Sequence, residues 1–221
     1  MMVKIRFGIV SAMVLTLSGL AACSSTPDLT DDFTSVGVRT PSGQCGVDPS
    51  SIADATSLGR VESKGACGIK NAWQVRSVGG VAFSTPAKLE CQMVGATHNW
   101  IGNVLQPAAE SAFGERVVSL RIAASYSCRA RNNQRGGKIS EHSFGNALDV
   151  SAFTLASGKV VTVEDGWGSW GGDSSFLKQV HGEACGTFKT VLGPASDKHH
   201  YNHFHFDLGK HGRSGKATYC R

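Results

Sequence analysis

The segment Asn202 to Leu208 reads NHFHFDL, and its alternation suits one regular structure. On a β-strand, successive side chains point to opposite faces. Phe204, Phe206 and Leu208 then share one face, and His203, His205 and Asp207 share the other. The phenylalanine face requires a core to pack against. The opposite face therefore presents two imidazoles side by side on rigid backbone. Four of the chain's eight histidines, His199, His200, His203 and His205, cluster here. A lone His-x-His is also compatible with a solvated pair, so a metal reading needs a further ligand from elsewhere.

The sequence SEHSFGNALD, residues 140–149, offers that ligand. His142 precedes Asp149 by seven positions. The run NALDVSAF, residues 146–153, alternates as a strand, with Leu148 and Val150 on one face and Ala147, Asp149 and Ser151 on the other. An aspartate inside such a strand is costly to bury unless paired or ligated. A salt bridge or a turn hydrogen bond is the plainer alternative. His142 lies in the loop entering the strand, where Gly145 and Ala147 permit close packing. Imidazole nitrogen and carboxylate oxygen suit a borderline cation such as zinc, and three protein ligands leave a position for water.

The rest of the chain mixes helix and strand. Residues 72–83 read as strand interrupted at Gly79-Gly80. Thr85-Pro86 reads as a helix start, followed by Leu89, Met93, Trp100, Val104 and Leu105 at helical spacing, with Pro107 kinking or ending the helix. Arg116 to Ala123 and Lys159 to Val163 read as strands, and residues 129–139 as a loop. Asp173 can cap a second helix carrying Phe176, Leu177, Val180, Ala184 and Phe188, stopped at Gly193-Pro194. Strict βαβ alternation is absent. The expected class is α+β, with a small, mostly antiparallel sheet carrying the metal site and helices flanking it.

The first 22 residues are set apart. Lys4 and Arg6 precede an apolar run from Phe7 to Ala22, which is short for a bilayer span of about 20 residues. It ends Leu20-Ala21-Ala22-Cys23, which resembles a bacterial lipobox with Cys23 as the lipidated residue. An ordinary signal peptide or an uncleaved anchor are the alternatives. Residues 23–44 are rich in Ser, Thr, Asp, Gly and Pro and read as a flexible tether. The expected folded domain is 45–221. With 221 residues, 41% hydrophobic and 18% charged, the chain suits a single globular domain. Removing residues 1–22 leaves 20 basic and 17 acidic residues, a balance too even to imply nucleic acid.

Six cysteines remain beyond Cys23, and none forms a CxxC pair, so a thiolate zinc site is disfavoured. Six cysteines allow 15 disulfide connectivities and fit an oxidising compartment. Cys185–Cys220 is the preferred pair, because it would hold the C-terminal tail beside the histidine strand. Cys45–Cys67 and Cys91–Cys128 complete the expected set.

Taken together, SYSCRARNN, SEHSFGNALDVSAF and HHYNHFHFDL closely resemble the bacterial extensin-like C-terminal domain family. The order of His142, Asp149 and the later HxH is also similar to the zinc peptidase superfamily of lysostaphin, the D-Ala-D-Ala metallopeptidases and the hedgehog signalling domain. The resemblance covers residues 45–220. It implies His142, Asp149 and His205 as zinc (Zn2+) ligands, with His203 and His200 as catalytic residues. The competing assignment makes His203 the ligand and His205 the helper. Arg129 resembles the arginine that dipeptidases of this superfamily hold near the substrate carbonyl, though a surface ion pair is an equal alternative.

The resemblance implies metal-assisted hydrolysis of D-Ala-containing stem or cross-link peptides of peptidoglycan. The lipid anchor at Cys23 implies a periplasm-facing lipoprotein at the outer membrane. One departure stands out. D-Ala-D-Ala metallopeptidases place a general-base glutamate three residues before the final histidine, where this chain has Asn202. The base would then be His203 or His200, with Glu141 an orienting neighbour. A non-catalytic zinc-containing wall-binding lipoprotein on the same scaffold is the alternative, and a lipoprotein with merely superficial histidines a weaker third. Trp167 and Trp170, in a glycine-rich loop, could line a groove or simply pack. Ser127, Cys128 and Ser143 lack the partners of a nucleophile.

Overall fold

The computed structural model describes residues 44–221 except residue 53. The signal segment, Cys23 and nearly all of the tether lie outside the described residues. Strands β1 (Ala55–Glu62), β2 (Gly68–Val78) and β3 (Val81–Glu90) form an antiparallel meander. Helix α1 (Cys91–Trp100) follows β3 without a loop, passes through a π-turn at Ile101–Leu105, and continues as α2 (Gln106–Phe113). Then come β4 (Val117–Ala124), β5 (Ala147–Leu155), β6 (Val160–Thr162), the short α3 (Val163–Gly166) and α4 (Gly172–Gly182). Three short strands finish the chain: β7 (Thr190–Leu192), β8 (Phe204–Asp207) and β9 (Tyr219–Cys220).

All nine strands among the described residues belong to one sheet, ordered β1-β2-β3-β4-β5-β8-β7-β9, with β6 paired to β5. The β3–β4 and β7–β9 contacts are parallel and the rest antiparallel. The α+β class stands, but the sheet is large and mixed rather than small. β1 is exposed or half-buried along its whole length, so it carries no alternating apolar signal.

Thr85-Pro86 does not start a helix. Pro86 falls in the register irregularity between Val75↔Ala87 and Ser77↔Ala82, where its missing N–H breaks no ladder bond. Glu90 caps α1 instead, its carboxylate accepting the Gln92 N–H at 2.7 Å. Pro107 does not end the helix either. The π-turn directly before it absorbs the residue whose carbonyl a proline ring would strike. In α4, Asp173 sits in the first turn and pairs with Lys159 Nζ at 2.6 Å, while Gly171 holds the cap position. That helix stops at Gly182, so Ala184 and Phe188 are buried beyond its end rather than on it.

The helices cover one face of the central strands. The Trp100 ring lies 5.0 Å from Phe206 and 6.4 Å from Phe153, and its indole N–H donates to the Val180 carbonyl. A bulge between the Val150↔Ile122 and Ala152↔Arg121 pairs resets the phase of β5. Leu148, Val150, Phe153 and Leu155 thus all join the core. The other face of β5 and β8 is left for polar groups.

Three disulfides are present among the described residues. Cys185–Cys220 is the pair expected, but the other two differ: Cys45 joins Cys91, and Cys67 joins Cys128. The cause is the meander. Because β3 runs straight into α1, Cys91 sits beside the N-terminal turn, 4.7 Å from Cys45 between Cα atoms. Cys67, in the β1–β2 turn, faces the segment after β4, 5.6 Å from Cys128. Both separations lie within bridging range. No helix among the described residues is long and apolar enough to cross a membrane.

Candidate metal centre

The centre begins at a cross-strand pair. β5 and β8 set Asp149 directly opposite His205, both buried. His205 Nδ1 lies 2.8 Å from Asp149 Oδ1. His142 arrives on a single 3-10 turn, Glu141–Phe144, capped by the Ser140 hydroxyl and closed by Gly145 in the left-handed region. Its Nε2 lies 3.2 Å from both Asp149 Oδ2 and His205 Nδ1. Gly145 is required there: a Cβ would sit 2.6 Å from Ile69 Cδ1 and 2.9 Å from the Glu90 nitrogen.

Surrounding acceptors decide which ring nitrogens face inward. His142 Nδ1–H donates to the Ser125 carbonyl. His205 Nε2–H donates to Asp207 Oδ2 at 2.8 Å. In a neutral imidazole the second nitrogen then carries a lone pair. Two such lone pairs and a carboxylate converge, with the donor atoms within 4.8 Å of one another. So arranged, they repel unless a proton or a cation lies between them.

Without a metal, a proton serves. Burial disfavours an imidazolium at His205, but hydrogen bonds to Asp149 and Asp207 outweigh it and raise its pKa to about 9. Burial likewise favours a neutral Asp149, and the hydrogen bonds from His142 and His205 overcome it, holding the carboxyl well below its usual range. The N,N,O donor set fits a divalent cation of borderline softness, and Ser125 and Asp207 supply the outer partners such ligands need.

Two further imidazoles border the centre. β8 begins at Phe204, so His203 sits in the preceding bend rather than on the strand. It still turns Nε2 toward the centre, 3.7 Å from Asp149 Oδ2, while Nδ1–H donates to Asn202 Oδ1. His200 Nδ1–H donates to Asp197 Oδ1 at 2.9 Å. The His200 ring lies 5.3 Å from His203 and 5.7 Å from His205. Burial lowers the pKa of both His200 and His203, against the pull of Asp197 and Asp149 respectively. Both are neutral acceptors near pH 7.

These groups open onto a cleft of about 370 Å³ that Arg129 also lines. The Arg129 backbone is pinned by Ser143, whose hydroxyl accepts the Arg129 N–H at 3.0 Å. None of the ion pairs among the described residues uses its guanidinium. The family model for the Extensin-like protein C-terminus matches residues 44–221. The chain belongs to that family. No curated protein and no solved structure matches it.

In this extensin-like domain, the His142, Asp149 and His205 singled out in the sequence come together, with His203, His200 and Arg129 around them. Glu141 is an orienting group: Oε2 accepts from Asn146 Nδ2 at 2.7 Å and Oε1 faces Arg131. Sequence reasoning missed the role of Asp197, although its place three residues before His200 was a usable signal. It also left Asp207 unassigned, although Asp207 shares the strand face of His205. Two of the three side chains considered as nucleophiles are tied up in the extensin-like domain. Ser143 is fully buried and bonded to backbone, and Cys128 is oxidised. Trp167 packs on Phe204 and His181, Trp170 is fully exposed, and neither lines the cleft.

Proposed function

We propose that this extensin-like domain is a zinc-dependent peptidase of the bacterial cell envelope. Its substrates would be D-Ala-containing stem or cross-link peptides of peptidoglycan. The convergence of two imidazole lone pairs and a buried carboxylate beside two neutral, cleft-facing histidines carries the reading. The order His142, Asp149, His203-x-His205 is similar to the lysostaphin and D-Ala-D-Ala metallopeptidase superfamily, which supplies the substrate class. A lipid anchor at Cys23 and three disulfides suit a periplasm-facing lipoprotein at the outer membrane.

His142, Asp149 and His205 would hold the ion, which when bound supplies Lewis-acid activation of water and of an amide carbonyl. The protein's own groups do the rest. His203 Nε2 and His200, neutral near pH 7, accept and return the proton. Asp197 orients His200 as a carboxylate orients a catalytic imidazole. Arg129 places a positive charge in the cleft where an amide oxygen gains negative charge. Asn202, standing where related peptidases have glutamate, cannot accept a proton and instead holds His203 Nδ1.

The Asn202 departure also favours a second reading, a wall-binding module that keeps zinc but lacks turnover. Digestion of purified peptidoglycan, with fragments read by mass spectrometry, separates the two. Muropeptides shortened by the wild-type protein but not by His203→Ala support the peptidase. Wall binding without any new fragment rejects it in favour of the binding module.

A further inference from the structure

Residues 129–138 read RARNNQRGGK, four cationic side chains in ten positions with no acidic one. Outside this run, residues 23–221 hold 16 basic and 17 acidic side chains. The run therefore carries the whole net positive charge of that region. The structure folds it into a small hairpin. Arg131 N–H donates to the Lys138 carbonyl at 2.9 Å and Ser140 N–H to the Arg129 carbonyl at 3.1 Å, on either side of the Ala130↔Ile139 bridge. Asn132 and Asn133 help turn the chain in the left-handed region, with φ of +52° and +54°, which asparagine adopts more readily than most residues. Every residue from 131 to 139 is exposed. The one large apolar side chain of the hairpin is Ile139. The hairpin thus projects into solvent, with almost nothing of its own to bury.

One side of it faces the site. Arg129, Arg131, Asn132 and Asn133 line the same cleft as the ligand group. The carboxylates lining that cleft are already engaged: Glu141 by Arg131 and Asn146, Asp149 and Asp207 by His205, and Asp197 by His200. Of the four hairpin cations, only Arg131 forms an ion pair among the described residues. The unpaired charge along this lip of the cleft is therefore positive.

We propose that the hairpin docks the free carboxylates of a peptide polymer as that polymer enters the cleft. Guanidinium forks match carboxylates in geometry as well as in charge, and the two asparagine amides add neutral donors. The partner's name rests on the proposed function above: peptidoglycan peptides carry free carboxylates at chain ends and on side groups. The other polyanion within reach of an anchored chain is a membrane surface. A segment that docks on a bilayer buries an apolar face in it, and a hairpin with Ile139 alone has no such face.

Arg135 and Lys138 are the residues to change, because neither lines the cleft and neither is paired among the described residues. The test uses residues 23–221 carrying Cys23→Ser, so that no lipid contributes, and reads co-sedimentation with purified peptidoglycan. Arg135→Glu/Lys138→Glu should weaken binding about tenfold at low salt, the size expected for two exposed ion pairs. Wild-type binding should fall toward that of the variant as the screening length shrinks from about 10 Å at 0.1 M salt to about 3 Å at 1 M. Peptidoglycan whose carboxyl groups have been capped as amides should bind the wild type as weakly as native peptidoglycan binds the variant. Arg135→Lys/Lys138→Arg should bind as the wild type does. Metal content and thermal midpoint should not move, which separates docking from a structural role. Arg135→Gln/Lys138→Gln, which removes charge without adding repulsion, reads the same loss at smaller size if the reversal does not fold. Wild-type binding by the glutamine variant, undiminished binding to amidated peptidoglycan, or no binding by the wild type overturns the proposal. So does a loss confined to phosphatidylglycerol vesicles, which would assign the hairpin to a membrane surface. Peptide fragments released equally by wild type and variant, with equal binding, reject the docking role and keep the peptidase. Salt-sensitive, carboxylate-dependent binding with no fragments keeps the docking role and rejects the peptidase.

Discussion

Asp149 and His205 face each other across the β5–β8 ladder, with Oδ1 and Nδ1 2.8 Å apart. The same register seats Phe206 opposite Leu148 in the core. A slip of one residue would turn every one of these side chains to the opposite face. Core packing and donor placement are thus enforced together, and the donor set is as rigid as the sheet.

The first prediction follows from that pair. The purified wild-type domain should carry one divalent ion per chain, and Asp149→Ala or His205→Ala should abolish it. Elemental analysis of the folded variants measures this. Full occupancy in either would show that the donor set has been wrongly drawn. Asp207→Ala should retain the ion with affinity reduced about 10–100-fold, since Asp207 orients His205 without touching the ion.

His203 and His200 should separate chemistry from binding. His203→Ala should keep the metal and the fold, and lose about 10²–10⁴-fold in peptide hydrolysis. Asp197→Asn weakens the partner of His200 Nδ1 and should slow the same reaction without metal loss. Zinc content and turnover measured on one preparation check both. Loss of zinc in His203→Ala would make His203 a ligand and His205 its helper. Undiminished hydrolysis would pass the proton-transfer role to His200.

A pH dependence follows from His205. In the metal-free domain its pKa is raised to about 9, above an ordinary histidine value of 6.5. Its stabilising contribution is therefore complete below about pH 6.5 and is lost as pH rises through about 9. A metal must displace that proton, so apparent affinity should climb about tenfold per pH unit and flatten above about pH 9. Chelator competition across this range reads the slope. A flat profile would show that His205 is not the proton-bearing ligand.

Gly145 should be intolerant of a side chain. It has φ of +64°, and a Cβ would press on Ile69 and the Glu90 backbone. Gly145→Ala should destabilise the domain by about 2–4 kcal/mol, combining left-handed strain with overpacking. Denaturant unfolding measures the loss. Gly158 also has positive φ but open space around it, so Gly158→Ala should cost less.

The residues of the centre were legible because each advertises a conflict that only an organised site resolves. An aspartate in an apolar strand and histidines alternating with phenylalanines are such conflicts. The meander was hidden because β1 buries almost nothing, and because the local helix signal at Thr85-Pro86 is overridden by a bulge. The disulfide partners were hidden for the same reason, since Cys91 reaches Cys45 only through the course of β3. Asp197 holds His200 from the loop between β7 and β8, where no periodicity marks it.

The arginine-bearing wall of the cleft has little regular structure of its own. Between Ala124 and Glu141 it holds one three-residue turn and the Ala130↔Ile139 bridge. The Cys67–Cys128 bridge and the Ser143 hydroxyl both fasten it at residues 127–129. His142, Asp149 and His205 sit on β5, β8 and the turn leading into β5, none of which carries that disulfide. Reductant should therefore slacken the wall beside Arg129 while leaving the Asp149–His205 pair across the β5–β8 ladder in place. On the proposed function, metal loading and substrate binding would then be separable, with only the second sensitive to reduction of Cys67–Cys128.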